Sequence, residues 1–188
     1  MQQSNQAVNK EFIFDVIVAG AGASGLSLVA RLLQNPLLAD ARILLVDRAL
    51  VPYADKTWCF WDSSQLPFPE LIHKSWNELQ VRALGNTYNA SLQKYRYHCI
   101  RSKDFSQNLL DRVRRSDRVT MLEADISGFG GDEQTGEIYT SAGTFRARWV
   151  FQSALRPPGF ESMRMDLSLK QHFRGWIIQT PTPVFDAQ

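Results

Sequence analysis

Three glycines near the start of the chain form the pattern in this sequence best suited to bind a ligand. Gly20, Gly22 and Gly25 have the spacing Gly-x-Gly-x-x-Gly. In such a pattern the first glycine permits a tight turn, the second lets a phosphate approach the backbone, and the third lets a helix pack closely on a strand. The N–H groups at the positive end of the helix dipole would then bind a diphosphate. The predicted turn comprises Gly20, Ala21, Gly22, Ala23, Ser24 and Gly25.

An acidic residue follows this motif at a distance that suits a nucleotide. Asp47 ends the next apolar run, 22 positions after Gly25. A carboxylate there can accept hydrogen bonds from both ribose hydroxyls, which favours an adenosine ribose without a 2′-phosphate. Arg48 comes next and could contact phosphate or ribose, although a solvated arginine is an equally good interpretation. A glycine turn beside an unrelated surface carboxylate is the structural alternative.

The flanking residues predict the strands and the helix that the motif requires. Residues 12–19 form a continuous apolar, β-rich run, which is typical of a strand buried on both faces. From Leu26 apolar residues recur at helical spacing, and Asn35-Pro36 predicts the end of that helix. Residues 42–47 predict a second buried strand. Together these elements form a βαβ unit, which belongs to a parallel sheet.

Residues 52–101 interrupt this alternation and predict an insert of loops and antiparallel strands. The stretch alternates apolar and polar residues around Val81 and has a turn signal at Gly85-Asn86. The glycine motif lies early in the chain, and the βαβ unit leads into this insert and not into further βα repeats. Both features favour FAD over NAD as the dinucleotide.

Helical and strand patterns resume after the insert. A helix is predicted over 102–115, with Ser102 or Asp104 as its N-cap. A third short strand is predicted over 119–124, and residues 138–151 predict a hairpin. By analogy of fold alone, this hairpin suits the β-meander of flavoproteins with two dinucleotide folds.

These elements predict an α/β, Rossmann-like FAD/NAD(P)-binding fold with an antiparallel β insert and a β-meander, present in incomplete form. We expect a disordered tail over 1–11 and an FAD-binding domain over 12–157, with inserted strands at about 52–101. The truncated start of a substrate-binding region is expected over 158–188.

The composition argues against several other classes of protein. With 188 residues, 44% of them hydrophobic, the chain can form one packed domain, or one domain and part of a second. A net charge of +2 gives no electrostatic case for nucleic acid. No apolar run approaches the ~18 residues that a membrane span needs, and the polar N-terminus has no signal-like segment. We therefore expect a cytoplasmic protein, and the scattered Cys and His residues predict no metal site.

Two groups of side chains allow more than one interpretation. Trp58, Phe60 and Trp61 could line a channel for a polyene or help to seat a flavin, but core packing is the commoner role of aromatic residues. Cys59 has the character of a small buried apolar residue. It lies forty positions from Cys99, and the absence of a Cys-x-x-Cys motif argues against metal or redox use.

A basic cluster lies at the end of the predicted helix over 102–115. Cations there interact favourably with the C-terminal end of the helix dipole, and a solvated face is the simplest interpretation. Contact with anionic lipid is the functional alternative. The cluster consists of Arg112, Arg114, Arg115 and Arg118.

Four stretches of the chain carry a family resemblance. They read DVIVAGAGASGLSL (15–28), LLVDR (44–48), DKTWCFW (55–61) and QHFRGWIIQTPTPVFD (171–186). With these stretches the chain resembles the lycopene cyclase family, flavoproteins that close the end rings of carotenoids. The third stretch is the most specific of the four.

The resemblance implies a cofactor, a substrate and a reaction. Reduced FAD would be held by Gly20, Gly22, Gly25 and Asp47, with Arg101 as a further contact, and NAD(P)H would keep the flavin reduced. The substrate would be lycopene, a carotenoid. The reaction would be a non-redox isomerisation, in which an alkene is protonated and the resulting carbocation closes a ring. Such an enzyme could be peripheral to the inner face of the membrane.

The chain resembles the N-terminal half of such a cyclase. The family's acid–base motif would lie beyond Gln188, so no catalytic residue is assigned, and this chain alone is expected to be inactive. One alternative is another FAD-dependent oxidoreductase, such as a hydroxylase or a prenyl reductase. A second is a non-catalytic nucleotide-binding fragment. The sequence leaves open whether one or both ends would be cyclised, and whether the ring would be β or ε.

Overall fold

The computed structural model describes residues 14–63, 66–153 and 180–182. The tail expected over 1–11, and nearly all of the substrate-binding region expected over 158–188, lie outside the described residues.

The described residues form eleven strands and two α-helices. In chain order they are β1 (Phe14–Ala19), α1 (Ala23–Gln34), β2 (Ile43–Asp47), β3 (Thr57–Asp62), β4 (Lys74–Trp76), β5 (Glu78–Ala83), β6 (Asn86–Ser91), β7 (Arg96–Arg101), α2 (Ser102–Arg114), β8 (Val119–Glu123), β9 (Ile126–Gly131), β10 (Gly136–Thr140) and β11 (Gly143–Gln152).

A six-stranded sheet with the order β8-β2-β1-β11-β10-β9 forms the centre of the fold. The first four strands in this order are parallel, because β1 pairs in parallel with β2 and β11, and β2 with β8. The last three form an antiparallel meander, β9-β10-β11. The α/β Rossmann-like class with a β-meander is therefore confirmed, as is the βαβ unit formed by β1, α1 and β2.

Residues 16–19 of β1 are all apolar because both faces of the sheet are covered there, whereas Asp15, near the start of the strand, is partly exposed and pairs with Arg42. Val16 and Val18 pack in a cluster with Leu26 of α1 and Leu109 of α2. Ile17 belongs to a second cluster, which includes Ile138 of the meander. Successive residues of a strand point to opposite faces, so a strand with a core on each side has no polar face. Fully burying one such side chain contributes roughly 1.5–3 kcal/mol.

The predicted antiparallel insert is confirmed, and it divides into two small sheets. One has the order β3-β7-β4, and the other is the hairpin β5-β6. The hairpin turns at Leu84 and Gly85, whose φ angles are 51° and 79°. Positive φ at both central residues identifies a type I′ turn, so the turn predicted at Gly85-Asn86 is displaced by one residue.

The N-cap predicted for α2 is wrong. Arg101 occupies the cap position, and no side chain caps the helix. Ser102 is fully buried, and its hydroxyl accepts a hydrogen bond from the Lys56 N–H at 3.0 Å. Asp104 lies in the first turn, where its negative charge suits the helix dipole. The serine was misassigned because its hydroxyl connects the helix to the segment before β3 and not to its own first turn.

The meander differs from the predicted hairpin in two ways. β11 is one continuous strand of ten residues, and it pairs with both β10 and β1. β9 was not assigned from the sequence. Its residues ISGFGG include three glycines, and only Ile126 and Phe129 pack against the core, so the alternation that reveals a strand is weak.

Arg114 and Arg115 of the basic cluster are exposed, as a solvated face predicts, but all four arginines also bind acceptors of this chain. The Arg118 guanidinium donates to the carbonyl oxygens of Leu38 at 2.5 Å and Leu33 at 2.8 Å. Arg114 donates to the Leu50 carbonyl at 2.8 Å. Arg118 therefore ties the segment before β8 to the end of α1. Contact of this cluster with anionic lipid remains a prediction. The remaining two members also have partners: Arg112 pairs with Glu70, and Arg115 donates to the Asp111 carbonyl.

We expect Arg118→Lys to lower the free energy of unfolding by about 1–3 kcal/mol, because an ammonium cannot reproduce the two-pronged bond to the Leu33 and Leu38 carbonyls. Urea unfolding followed by circular dichroism is the measurement. Arg115→Lys is the matched control, since Arg115 is exposed and bonds only within its own helix end. Equal urea midpoints for the two variants would contradict this role of Arg118.

Candidate functional site

The glycine turn connects the end of β1 to the start of α1. Gly20 has a φ of 109°, a conformation that L side chains rarely adopt, and its N–H donates to the Val46 carbonyl at 2.7 Å. Gly22 is the N-cap of α1, with extended backbone and no side-chain cap. The first turn of α1 contains no acidic residue. The N–H groups of this first turn are therefore able to bind an anion without competition from a carboxylate on the helix itself.

The other two glycines of the motif are required for different reasons. A Cβ atom on Gly25 would lie 1.9 Å from the Gly20 carbonyl oxygen, so only glycine allows α1 to approach the turn this closely. A Cβ atom on Gly22 would meet no atom within 4 Å. The space over Gly22 is thus open, and a side chain there would occupy it. This arrangement fits a diphosphate held against bare backbone.

Asp47 lies against the glycine turn at the end of β2. Its Oδ2 atom accepts a hydrogen bond from the Ala21 N–H at 2.5 Å, and its Oδ1 atom accepts one from the Ala49 N–H at 3.4 Å. β1 and β2 are neighbouring parallel strands, with Ala19 opposite Val46. Their carboxyl ends meet at one edge, and the structure brings Asp47 and residues 20–25 together there.

The two arginines predicted to join the site lie at strand ends. Arg48 follows Asp47 directly and is exposed. Arg101 is the last residue of β7 and is also exposed, and the helix that it precedes packs beside α1. Among the described residues, no hydrogen bond or ion pair joins either guanidinium to the glycine turn. Their contact with a nucleotide remains a prediction.

Tyr53 is a residue near this edge that the sequence did not single out. Burial raises the pKa of its hydroxyl to about 12, and the carboxylates of Asp55 and Asp47 act in the same direction. The hydroxyl is buried without a hydrogen-bond partner among the described residues. A buried unpaired hydroxyl near Asp47 is a polar group that a bound ligand can satisfy. A tyrosine after a proline in a loop forms no pattern, so nothing in the sequence indicated it.

The aromatic motif on β3 divides between its two faces. Trp58 packs edge-on against Phe105, with ring centroids 5.4 Å apart, and belongs to the main core. Phe60 packs against the same core. Trp61 is 52% exposed and contacts Tyr97, with ring centroids 4.6 Å apart and the rings tilted by 41°. The core interpretation therefore holds for the first two side chains, and Trp61 lies on the outer face.

Cys59 is exposed, which corrects the prediction that it is buried. The reason is the period of two along β3, which puts Cys59 on the same face as Trp61, while Trp58 and Phe60 point to the core. A residue type that is usually buried thus lies outside because its position in the strand decides its environment.

The model of one protein family, described as lycopene cyclase protein, matches residues 15–188. The chain belongs to the lycopene cyclase family. A search of curated proteins returned no match. Across the described residues, no helix combines the length and the apolar character needed to cross a bilayer.

Several solved structures share the fold of this chain at low sequence identity. One is p-nitrophenol 4-monooxygenase PnpA from Pseudomonas putida DLL-E4, with 16% identity, a TM-score of 0.55, and coverage of 76% of this chain and 41% of that chain. Another is pqsL, a probable FAD-dependent monooxygenase from Pseudomonas aeruginosa, with 18% identity, a TM-score of 0.54, and coverage of 73% and 41%. A third is the halogenase PltM, with 15% identity, a TM-score of 0.53, and coverage of 79% of this chain and 36% of that chain. The chain therefore spans about two fifths of the length of these proteins, and it shares their fold.

We expect Tyr53→Phe to leave stability at neutral pH unchanged or improved, because it removes a buried unpaired hydroxyl. In the wild type the folded pKa of about 12 lies above the ordinary 10.0, so the unfolded chain loses this proton at lower pH. The part of the folding free energy that requires a protonated Tyr53 hydroxyl is fully present below about pH 10, and it is lost as the pH rises towards 12. Tyr53→Phe should therefore lose less stability above about pH 10.

Urea midpoints at about pH 8 and about pH 11 measure this effect. Tyr88→Phe is the control, because Tyr88 is exposed on the β5-β6 hairpin. If the urea midpoint of Tyr53→Phe fell between these two pH values as much as the midpoints of the wild type and of Tyr88→Phe, the role of the Tyr53 proton would be contradicted.

Proposed function

We propose that this chain is the FAD-binding part of a lycopene cyclase, and that residues 20–25 and Asp47 hold the ADP half of the dinucleotide. The observation that supports this most strongly is the hydrogen bond from the Ala21 N–H to Asp47 Oδ2, beside the open space over Gly22. It joins a phosphate-binding turn and a ribose acceptor at one sheet edge. Ligands of open α/β sheets bind at that edge, outside the carboxyl ends of the strands.

The diphosphate would lie over Gly22 at the start of α1. Its negative charge would be stabilised by the N–H groups of the first helical turn and by the helix dipole, which contributes about 0.3–1 kcal/mol at an exposed site and up to about 2 kcal/mol when partly buried. Gly22 has no Cβ, so the phosphate oxygens can reach hydrogen-bond distance of the backbone. The role of this part of the chain is to bind and to orient.

The adenosine ribose would lie beside Asp47. The carboxylate has acceptor capacity beyond its bonds to Ala21 and Ala49, so it can also accept from the ribose hydroxyls. A 2′-phosphate would place like charges together, and this supports FAD over a phosphorylated nucleotide. Arg48 and Arg101 supply exposed positive charge after β2 and at the end of β7, and we include both as contacts of the cofactor.

The family assignment supports a carotenoid substrate and a ring-closing isomerisation. Bound reduced FAD would supply negative charge beside a carbocation or assist its proton transfers, with NAD(P)H as the reductant. The residues described here would position the dinucleotide and keep its ADP half away from the reacting carbons. We assign no catalytic acid among them, and the proposal includes contact with the membrane surface where the carotenoid is dissolved.

A flavin-dependent monooxygenase is the second candidate, since two of the solved structures with this fold are monooxygenases. The two functions differ in what happens to the atoms of the substrate. A cyclase rearranges bonds and returns its cofactor in the same redox state, whereas a monooxygenase adds an oxygen atom and consumes reductant.

We expect Gly22→Val to weaken FAD binding at least about 100-fold, because the isopropyl group fills the space that a diphosphate would occupy. Its urea midpoint should fall by less than that of Gly25→Ala, since no atom lies within 4 Å of the new Cβ and the cost is limited to a less favourable N-cap residue. Gly25→Ala, by contrast, should unfold at lower urea because its Cβ meets the Gly20 carbonyl. Flavin fluorescence titration gives the affinity, and Thr87→Val, an exposed position on the β5-β6 hairpin, is the control that should leave it unchanged. Undiminished FAD affinity in Gly22→Val would contradict the proposal.

When a full-length enzyme that contains this chain acts on lycopene with FAD and NADPH, we expect a product with the mass of lycopene, because ring closure neither adds nor removes atoms; the 188-residue chain alone should form no product. Chromatography that separates cyclic from linear isomers, followed by mass spectrometry, is the measurement. A product that carries an additional oxygen atom, formed with matching consumption of NADPH, would establish a monooxygenase instead.

A further inference from the structure

The two cysteines of the chain lie opposite each other in the β3-β7-β4 sheet. β3 and β7 are antiparallel, and in their register Cys59 pairs with Cys99. They stand forty positions apart, and the segment between them includes β4 and the whole β5-β6 hairpin, so their separation along the chain conceals this proximity. That separation, together with the absence of a Cys-x-x-Cys motif, argued against redox chemistry, and the register of β3 and β7 removes that objection.

The hydrogen-bond pattern shows which kind of antiparallel pair the cysteines form. The Ser102 N–H donates to the Lys56 carbonyl at 3.0 Å, so residues 56 and 102 form a hydrogen-bonded pair. Such pairs alternate along two antiparallel strands, so Cys59 and Cys99 form a non-hydrogen-bonded pair. Consistently, the Cys99 carbonyl accepts from the His73 N–H at 2.8 Å, on the β4 side of the sheet.

Non-hydrogen-bonded pairs have the spacing that a disulfide requires. Their Cα atoms lie about 4.5 Å apart, and their side chains are closer than in hydrogen-bonded pairs. A disulfide spans Cα separations of roughly 4.4–6.8 Å. No movement of β3 relative to β7 is needed to bring the two sulfur atoms together.

The two thiols differ in their access to solvent. Cys59 is exposed, whereas Cys99 is 7% exposed. Burial raises the pKa of the Cys99 thiol, and the neighbouring Cys59 raises it further through its charge and a hydrogen bond. Cys59 is therefore the sulfur that an external reagent reaches, and Cys99 is the buried partner in contact with it.

We propose that Cys59 and Cys99 are a thiol–disulfide modification site, which a low-molecular-weight disulfide such as oxidised glutathione converts to an intramolecular disulfide. The Cys59 thiolate attacks the reagent, forms a mixed disulfide and releases one glutathione thiol. The Cys99 thiolate then attacks the Cys59 sulfur and releases the second. Two protein thiols are oxidised, each losing its proton, and the reagent is reduced to two thiols. The bond ties β3 to β7 two residues before Arg101, where β7 enters α2.

The test treats the 188-residue chain with oxidised glutathione and follows its intact mass. The expected product has lost the mass of two hydrogen atoms, contains one peptide linked through Cys59 and Cys99, and regains both thiols on reduction with dithiothreitol. Cys99→Ser should stop at one glutathione adduct on Cys59, because the second attack is missing. Cys59→Ser should react more slowly than Cys99→Ser, because Cys99 is buried.

A control separates the cross-strand geometry from simple thiol reactivity. In Thr57→Cys/Cys59→Ser the new thiol lies on the same face of β3 but diagonal to Cys99, about 7–8 Å away, and should form no internal disulfide. The native pair should also close at least about tenfold faster in buffer than in urea that unfolds the chain. Two separate glutathione adducts, disulfide-linked dimers, equal rates in buffer and urea, or closure in the diagonal variant would each overturn the proposal.

Discussion

The hydrogen bond from the Ala21 N–H to Asp47 Oδ2 joins the two halves of the candidate site. It exists because β1 and β2 are parallel neighbours in register, so that the chain leaves both strands at the same edge of the sheet. The positive φ of Gly20 turns the backbone there, and the missing Cβ of Gly25 lets α1 begin at once. The site thus depends on backbone geometry at two glycines and on the Asp47 carboxylate, 26 residues after Ala21.

The rest of the described fold holds that edge in place. α1 and α2 cover one face of the parallel strands and the meander contributes to the core on the other, so β1 and β2 are fixed from both sides. Arg118 binds the carbonyl of Leu33, in the last turn of α1, and the carbonyl of Leu38, which follows the helix. The insert contributes Trp58 to the core and directs Trp61 outward. The aromatic motif is therefore divided between packing and surface, and only its outward part is available to another molecule.

Much of this arrangement could be predicted from the sequence because it depends on local patterns. The βαβ unit follows from two continuous apolar runs and a helical periodicity, and α1 ends where Asn35-Pro36 predicted. The spacing between Gly25 and Asp47 predicted a common site, and the bond from Ala21 to Asp47 joins the turn to the carboxylate. These features are specified by neighbouring residues, and so the sequence displays them directly.

The features that the sequence did not reveal depend on strand pairing and packing and not on the local pattern of residue types. β9 is rich in glycine and half-exposed, and it is defined by its pairing with β10. Cys59 was expected inside, and its place opposite Cys99 follows from the register of two strands forty residues apart. The unpaired Tyr53 hydroxyl results from packing of this side chain against the main core.

The central claim is that Asp47 and the glycine turn bind the ribose and the diphosphate of one nucleotide. Calorimetric titration with ADP-ribose and with its 2′-phosphorylated form tests it most directly, in the wild type and in Asp47→Asn. We predict that the wild type binds the unphosphorylated ligand at least about tenfold more tightly, a difference of about 1.4 kcal/mol, and that Asp47→Asn loses this preference. Equal affinity of the wild type for the two ligands would contradict the claim.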